Sequence, residues 1–592
     1  MERKEIAEQL KWDLSALYES DEAWEKEFDA LSEKFSDYDY STFQGKLGDK
    51  KTLLAFLKLE EEFSLRAERL YVYASMRHDE DVRISKYNSY LAKMGGFVAK
   101  VSASMAFVDP ELTSLSEDTL NGFISDPDFK EYDYRLSRIA AAKAHVLSEG
   151  EEKLLALAAD VMDGFHSAFT MLDNANLNLP KNTINGEEVQ MSHGLYGLVL
   201  HSDNAKDRES WFKSYYEAYI KLIDTITQTY YGNVKKDIFY KTARKYDSCL
   251  QKALDGEDVS ETVYNNLIEA VHEALPTMHR YISVRKDILG LPEQHMYDIY
   301  APVVENAEIK LPYDQAYDLV VEGLAPLGED YQNLLRTGKN EKWIDVCENE
   351  GKRSGAYSTG VFGVHPFVLL NYQPTTNDIF TIAHEMGHAI HTYQSSGHQP
   401  YAKSQYTIFL AEIASTVNEV LLLKHLTAKT TDKNLKKYLL SYYMDMIRAT
   451  LFRQTQFAEF EQIAHAKAEA GEPLTTENLC DVYYKLNQQY YGEGIVHDKE
   501  ISYEWARIPH FYRAFYVYKY ATGIISAISI VKRILSEGEP AVKDYFEFLR
   551  GGSSTDPVSI LKKAGVDLTT KTPFETAMKE FADTLKEFES LL

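Results

Sequence analysis

His384, Glu385 and His388 are the residues of this sequence whose types and spacing most clearly suggest chemistry. They stand in the run HEMGH, within TTNDIFTIAHEMGHAIHTYQSSG, where apolar residues recur at helical spacing. On one helix, His384 and His388 lie one turn apart on the same face, where two imidazoles can bind one zinc ion. Glu385 is then placed to act as a base on a water molecule. The motif therefore predicts a hydrolytic metal centre.

A zinc site of this kind needs a third protein ligand, and the sequence offers two candidates. Glu412 lies in FLAEIASTVNE, on the next predicted helix. His391 lies one turn beyond His388, but three consecutive turns span about 10 Å. We therefore favour Glu412 and keep His391 as the alternative. Glu419, seven residues after Glu412, is a candidate for a hydrogen bond to a ligand histidine.

Two stretches before the motif predict short strands. SGAYSTGVFG and FVLLNY are rich in glycine and β-forming residues, and we expect a small sheet near the metal helix. Gly355, Ala356 and Tyr357 lie in the first of these two stretches. Farther upstream, Asn185 and Gly186 separate LPKNTI from EEVQM, a pattern typical of a hairpin.

An aromatic stretch after the motif, IPHFYRAFYVYKYATG, carries candidate hydrogen-bond donors for an oxyanion. They are His510, Tyr512, Tyr516 and Tyr520. The three tyrosines are four residues apart, so they would form one stripe if the segment is helical. A stripe of packing residues is the alternative in a chain with 42 tyrosines.

The rest of the 592 residues follows a helical period, which predicts a mainly α fold with a small β-sheet beside the HExxH helix. A soft change of pattern near residue 200 predicts two parts, an amino-terminal helical domain or lid over 1–200 and a catalytic domain over 201–592. No flexible linker separates them.

Charge and composition exclude several function classes. The net charge is -27, from 91 acidic and 64 basic residues, which argues against a nucleic-acid partner. The three cysteines are odd in number and widely spaced, so we expect no disulfide framework. We find no secretory signal and no long apolar run, and we expect a cytoplasmic protein without a membrane partner.

Taken together, these motifs resemble a known enzyme family. HEMGHAIH followed by FLAEIASTVNE is similar to the M3 family of zinc metallopeptidases, the thimet oligopeptidase family. GKRSGAYSTG, GVHPFVLLNY, IPHFYRAFYVYKYATG and the opening WDLSALY resemble its oligoendopeptidase F branch over most of the chain.

The resemblance implies a zinc-dependent endopeptidase with one zinc ion per chain. It implies two helical halves that enclose a deep channel, open to short unfolded peptides and closed to folded proteins. It also implies that His510 and Tyr520 stabilise the transition state, with Tyr512 and Tyr516 in contact with substrate. The spacing of this stretch departs from that of mammalian thimet-type members. The resemblance therefore leaves open which of the tyrosines stabilises the oxyanion.

In the wider family of such zinc peptidases an edge strand pairs with the substrate backbone. Gly355, Ala356 and Tyr357 would suit that role, with an ordinary loop or strand as an equal alternative.

Two other functions remain as alternatives. The angiotensin-converting-enzyme family also carries HEMGH, and Arg507 or Arg513 could bind a peptide carboxylate, so a peptidyl-dipeptidase or carboxypeptidase is allowed. This chain lacks the HEAIG-type sequence of that family around its glutamate. The other alternative is an inactive peptide-binding protein. A homo-oligomer is compatible with the sequence.

Overall fold

Helices dominate the structure, which confirms the predicted mainly α fold class. The computed structural model describes residues 1–184, 186–304 and 307–592, without the side chain of residue 149. Many helices begin at a small polar residue whose side chain accepts a hydrogen bond from the first turn. Ser20 accepts from the N–H of Ala23, and Asp49 accepts from that of Thr52.

The α-helices follow one another through the whole chain. The first are α1 (Asp21–Phe35), α2 (Lys50–Glu80), α3 (Ser85–Met105), α4 (Val108–Ser114), α5 (Glu117–Ser125) and α6 (Asp133–Ala142). Next come α7 (Glu149–Met171), α8 (His193–Leu200), α9 (Ala205–Ile220), α10 (Ile223–Ala243), α11 (Cys249–Asp255) and α12 (Glu261–Leu289). The central ones are α13 (Tyr313–Gly323), α14 (Glu329–Asn340), α15 (Thr376–His398), α16 (Tyr401–Ser404), α17 (Ile408–Lys429) and α18 (Lys433–Ile447). The last are α19 (Arg453–Glu469), α20 (Thr476–Tyr491), α21 (Tyr518–Glu537), α22 (Glu539–Leu549), α23 (Pro557–Lys563) and α24 (Thr572–Glu589).

The strands of the described residues form two small sheets. The strands are β1 (Lys181–Ile184), β2 (Glu187–Gln190), β3 (Ile344–Asp345), β4 (Tyr357–Thr359) and β5 (Phe367–Leu369). β1 and β2 pair antiparallel, which confirms the predicted hairpin. In its turn, Gly186 has a φ of +86°, and Asn185 lies outside the described residues. The second sheet has the order β3-β5-β4, with β5 parallel to β3 and antiparallel to β4.

The chain forms two compact units, each built from three separate stretches. Unit 1 comprises Met1–Val146, Ile309–His425 and Ile530–Val566. Unit 2 comprises Leu147–Glu308, Leu426–Ser529 and Asp567–Leu592. The change of pattern near residue 200 is therefore no boundary between compact units, because packing joins distant stretches. The functional division into 1–200 and 201–592, and the channel between two halves, stay predictions.

Aromatic side chains fill the core of each unit. In unit 1, Trp24 of α1 stacks on Tyr90 of α3, with ring centroids 3.8 Å apart. The same core extends to Phe367 of β5, which is fully buried. In unit 2, Tyr230 of α10 packs against Phe460 of α19, with ring centroids 6.1 Å apart.

One stretch within the described residues, 85–114, is long and apolar enough to cross a membrane by length and composition. The structure divides it into α3 and α4, and α3 carries Lys86, Lys93 and Lys100. A row of apolar side chains one turn apart on α3 is buried in the core of unit 1, namely Tyr90, Met94, Phe97 and Val101. That pattern is typical of a helix that packs on one face.

Candidate metal centre

The metal motif lies on α15, as predicted. Thr375 caps this helix, because its side-chain oxygen accepts from the N–H of Asp378 at 3.1 Å. His384 and His388 are one turn apart, and their Nε2 atoms are 3.2 Å apart. Glu385, between them in sequence, is buried with 7% of its surface exposed.

α17 crosses α15 in close contact at Gly387. A side-chain Cβ at this position would lie 2.6 Å from the Cα of Ser415. Next to the crossing, the side chain of Asn418 donates to the carbonyl of Ala383 at 2.9 Å. Asn418 in turn accepts from the hydroxyl of Tyr331 at 2.8 Å. Asn418 and Ala383 are both buried. Their hydrogen bond therefore fixes the position of α17 along the axis of α15.

This crossing places Glu412 beside the two histidines. Its Oε2 lies 3.4 Å from Nε2 of His384 and 3.6 Å from Nε2 of His388. Ligand atoms about 2.0–2.1 Å from a tetrahedral zinc ion lie about 3.3 Å from one another. The three atoms therefore fit one ion, and they form the one such group found among the described residues.

His391 lies apart from this group. Its ring is fully buried and stacks on the ring of Tyr406, with centroids 3.7 Å apart. Neither ring nitrogen has a hydrogen-bond partner. The geometry therefore favours Glu412 over His391 as third ligand, and leaves His391 as a core residue.

Carboxylates control the charge of the centre. Nδ1 of His384 lies 3.2 Å from Oε1 of Glu419, as expected for a ligand histidine held by a second carboxylate. Burial lowers the pKa of His384, but hydrogen bonds to Glu412 and Glu419 outweigh it and hold this pKa well above the ordinary value. Burial also raises the pKa of Glu385, against the effect of the two imidazoles. The side chains of His384, His388 and Glu412 are 18–35% exposed, so a small ligand can reach them.

β4 is an edge strand of the sheet beside α15. The N–H of Val368 in β5 donates to Trp343 on the β3 side, at 2.9 Å. Val368 is opposite Ser358, so the N–H and C=O of Ser358 point to the free edge. At the end of β4, a Cβ on Gly360 would lie 2.3 Å from Cγ2 of Thr392 on α15. The edge is thus held directly against the metal helix.

The predicted substrate residues lie at the start of this edge. Gly355 has a φ of +84°, and its carbonyl accepts from Asn371 at 2.8 Å. Ala356 follows it and precedes β4. Tyr357 begins β4, and its hydroxyl donates to Asp79 at 2.9 Å. The hydroxyl of Tyr357 is therefore already hydrogen-bonded to Asp79 within unit 1. Its backbone remains the part of the residue that belongs to strand β4.

The aromatic stretch does not form the predicted single helical stripe. Tyr512 ends a 3₁₀ turn that begins at Pro509, whereas Tyr520 lies in the first turn of α21. Between them Phe515 has a φ of +58°, which no continuous helix contains. The left-handed residue interrupts the helical period, and this is why the stripe prediction is wrong.

The structure nevertheless brings most of these side chains together in unit 2. Nε2 of His510 lies 3.4 Å from the hydroxyl of Tyr520. The ring of His510 stacks on that of Tyr516, with centroids 6.0 Å apart. Tyr512 is separate: it is buried, its hydroxyl is 2.7 Å from that of Thr229, and its ring stacks on Phe169.

The sequence pattern did not predict the role of Asn418, which lies in the run FLAEIASTVNE. The available signal was a lone amide among apolar residues of a predicted buried helix, since a buried amide needs partners. Ser358 also received no role, because the direction of its backbone groups depends on the strand order.

Two family models and several known proteins match this chain. The family model for peptidase family M3 matches residues 198–580, and that for oligopeptidase F matches 111–178. Oligopeptidase PepF of Bacillus subtilis (strain 168) is 43% identical over 100% of this chain and 88% of its own.

Two solved structures are similar over nearly the full length. A protein from Chlamydophila abortus, described as a peptidase, has a TM-score of 0.94 and 37% identity, with 100% of both chains covered. Oligoendopeptidase-F from Enterococcus faecium has a TM-score of 0.75 and 34% identity, with 96% of this chain and 99% of that chain covered.

Proposed function

The chain belongs to peptidase family M3 and is a metalloendopeptidase of the oligoendopeptidase F type, and we propose that it uses one zinc ion to hydrolyse internal bonds of short, unfolded peptides. The observation that carries the proposal is the group formed by His384, His388 and Glu412, with Glu385 next to it. Two imidazoles and one carboxylate are a donor set typical of a catalytic zinc site.

Each residue of the centre has a proposed role. A zinc ion held by His384, His388 and Glu412 would supply activation of water and polarisation of the peptide carbonyl. Glu385 takes a proton from the attacking water and passes it to the leaving amine. Glu419 accepts from Nδ1 of His384, which leaves Nε2 free to bind the ion.

We propose that the substrate pairs with β4 through its backbone. Ser358 offers one N–H and one C=O to an extended peptide at the free edge. A cavity of about 210 Å³ adjoins all three residues of β4 and is also lined by Val72 and Met76 of α2. It has room for one substrate side chain. Gly355 and Ala356 extend the same edge with little steric bulk.

His510 and Tyr520 are the proposed donors to the oxyanion. They lie within 3.4 Å of each other and carry one N–H and one O–H. Burial, with Arg453 and Arg513 nearby, lowers the pKa of His510, which favours a neutral imidazole. Tyr516 stacks on His510 and is proposed to contact substrate.

The dipeptidase alternative would need a free cation for the peptide carboxylate. Arg507 is not free, because it donates to Glu504 at 2.7 Å and to the hydroxyl of Tyr216 at 3.2 Å. Arg513 lies over the ring of Tyr516, 4.3 Å from its centroid. Peptides blocked at the carboxyl terminus test the alternative directly: undiminished cleavage excludes it, and loss of cleavage supports it.

The proposed enzyme acts on peptides in the cytoplasm, with no nucleic-acid or membrane partner. The charge of -27 would repel nucleic acid. Cys249, Cys347 and Cys480 are all free thiols, which is typical of a reducing compartment.

The test combines metal analysis with peptide digestion. We expect about one zinc ion per chain in the wild type and in E385Q, with cleavage of a mixed peptide library about 10²–10⁴-fold slower in E385Q. H388Q should lose the metal, whereas H398Q, a histidine on the same helix outside the group, should keep it. A chelator should stop the wild-type reaction.

Mass spectrometry of the products reports the cleaved bonds and the peptide length limit in the same experiment. Wild-type cleavage that survives complete metal removal, or an E385Q variant as active as wild type, would contradict the proposal.

A further inference from the structure

Glu461 is a buried acid outside the metal centre. It lies on α19 with none of its surface exposed. Its Oε1 accepts from the backbone N–H of Phe515 at 3.0 Å, and its Oε2 has no hydrogen-bond partner among the described residues. Burial and the nearby Asp237 raise the pKa of Glu461 well above the ordinary value, against the hydrogen bond from Phe515 and the charge of Lys519.

Such a residue is costly for the core. A buried polar group that is only partly satisfied destabilises the folded state, whereas an apolar side chain of similar volume would pack without that cost. Glu461 therefore needs a reason beyond filling space. Its one hydrogen bond goes to Phe515, so the reason is to be sought there.

Phe515 has a left-handed backbone, with a φ of +58°. This conformation is unfavourable for a residue with a side chain, because its Cβ lies too close to the following carbonyl oxygen. It persists only where the surroundings fix it. The hydrogen bond from its N–H to Glu461 provides such an anchor, and Phe515 is itself buried, with its ring 4.7 Å from that of His465.

The anchored residue lies between the two proposed oxyanion donors. His510 precedes it in the 3₁₀ turn, and Tyr520 follows it in α21. Their side chains approach to 3.4 Å across a short segment that departs from helical geometry and contains Phe515. At its other end the segment is held by Tyr512, whose hydroxyl is 2.7 Å from that of Thr229.

We propose that Glu461 is a positioning residue for catalysis: its buried carboxyl holds Phe515 in the left-handed conformation that brings His510 and Tyr520 together. The inference rests on the proposed function, because it assumes that these two side chains stabilise the transition state. Glu461 itself touches no substrate. It acts through one backbone hydrogen bond.

The inference predicts a specific pattern in a variant series. E461Q keeps a hydrogen-bond acceptor and a side chain of the same shape, so its kcat should stay within about threefold of wild type. E461M removes the acceptor and keeps the volume. Because a misplacement of about 1 Å can cost about 10²-fold, its kcat should fall about 10–100-fold, with KM and zinc content unchanged.

A second substitution separates positioning from general damage to the core. Glycine adopts a positive φ without cost, so the double variant E461M/F515G should have a kcat at least about fivefold higher than that of E461M. Loss of core packing alone predicts the opposite, since F515G would then add to the damage. If E461M fails to fold, E461D, which withdraws the carboxyl by one methylene, takes its place in the same comparison.

The outcomes decide the inference separately from the proposed function. Wild-type kcat in E461M, an equal loss in E461Q and E461M, or no rescue by F515G would each overturn it. If the wild-type protein with zinc cleaves no peptide in the same assay, the proposed function itself fails. An active wild type, together with retained kcat in E461Q, reduced kcat in E461M and its rescue by F515G, supports both the role of Glu461 and the proposed function.

Discussion

Ser415 of α17 occupies the space that a side chain on residue 387 of α15 would need. A Cβ at Gly387 would lie 2.6 Å from the Cα of Ser415 and 2.7 Å from the carbonyl oxygen of Ala414. These neighbours are backbone atoms of a helix, so they cannot move as a side chain can. The glycine between the two histidines thus sets how closely the helix that carries Glu412 approaches them.

G387A should therefore separate α17 from α15. We expect this variant to lose zinc binding and to unfold at lower temperature, because the clash moves a helix backbone. G397A is the matched control on the same helix, since nothing lies within 4 Å of its added Cβ. It should bind zinc normally and gain up to about 1 kcal/mol of stability. Zinc titration and thermal melts of both variants check this, and normal zinc affinity in G387A would contradict it.

E419Q should weaken metal binding without removing a ligand. The carboxylate of Glu419 lies 3.2 Å from Nδ1 of His384, and loss of such a partner typically costs about 10–100-fold in metal affinity. E322Q is a suitable control, because Glu322 lies 3.7 Å from Nε2 of His425, a histidine outside the group. Competition with a fluorescent zinc chelator measures both, and equal affinities in the two variants would argue against the role of Glu419.

His391 should make the protein less stable in mild acid. Burial, with a smaller effect of His388, lowers the pKa of His391 to about 3 from an ordinary value of 6.5. Below pH 6.5 the unfolded chain binds a proton that the folded chain does not, so stability falls as pH falls towards 3. From pH 6.5 to pH 5 this group alone costs about 2 kcal/mol.

H391F removes this titration and keeps a ring to stack on Tyr406. We expect the stability of H391F to fall about 2 kcal/mol less than that of wild type between pH 7.5 and pH 5. Urea unfolding of both proteins in the presence of chelator excludes any effect of the metal. Identical losses in the two proteins would show that His391 titrates normally.

Substitutions of Tyr520 and Tyr512 should have different effects, one on kcat and the other on stability. Y520F removes a proposed oxyanion donor, and kcat should fall about 10²-fold or more with little change in stability. Y512F breaks the contact with Thr229, so it should cost about 1 kcal/mol of stability and affect kcat far less. Steady-state kinetics and melts of both variants distinguish them. A large loss of kcat in Y512F, with a kcat near that of wild type in Y520F, would contradict this and would place Tyr512 at the substrate.

Local pattern was enough to predict the metal centre. The helical period around HEMGH placed His384 and His388 on one face, and a carboxylate among apolar residues of the next helix pointed to Glu412. Gly387 is a further signal in the same helix, because glycine lowers helix stability and its presence there indicates a close approach of another element. Each of these inferences depends on residues within one or two neighbouring helices.

Inferences that depend on long-range packing failed or were absent. The tyrosine stripe was wrong because Phe515 is held left-handed by Glu461, more than 50 residues earlier in the sequence. The compact units could not be read from a change of pattern near residue 200, because each joins three distant stretches. Ser358 gained its meaning only from the strand order β3-β5-β4.

The interleaving of the two units has a consequence for biosynthesis. Unit 1 needs residues up to Val566, and unit 2 needs residues up to Leu592. A ribosome releases the chain from its amino end, so neither unit is complete until its last stretch has been made. The late stretch of unit 1 packs directly on the metal helix, where Phe548 lies 5.2 Å from His391. A nascent chain that lacks this stretch therefore carries His384 and His388 in an incomplete unit 1.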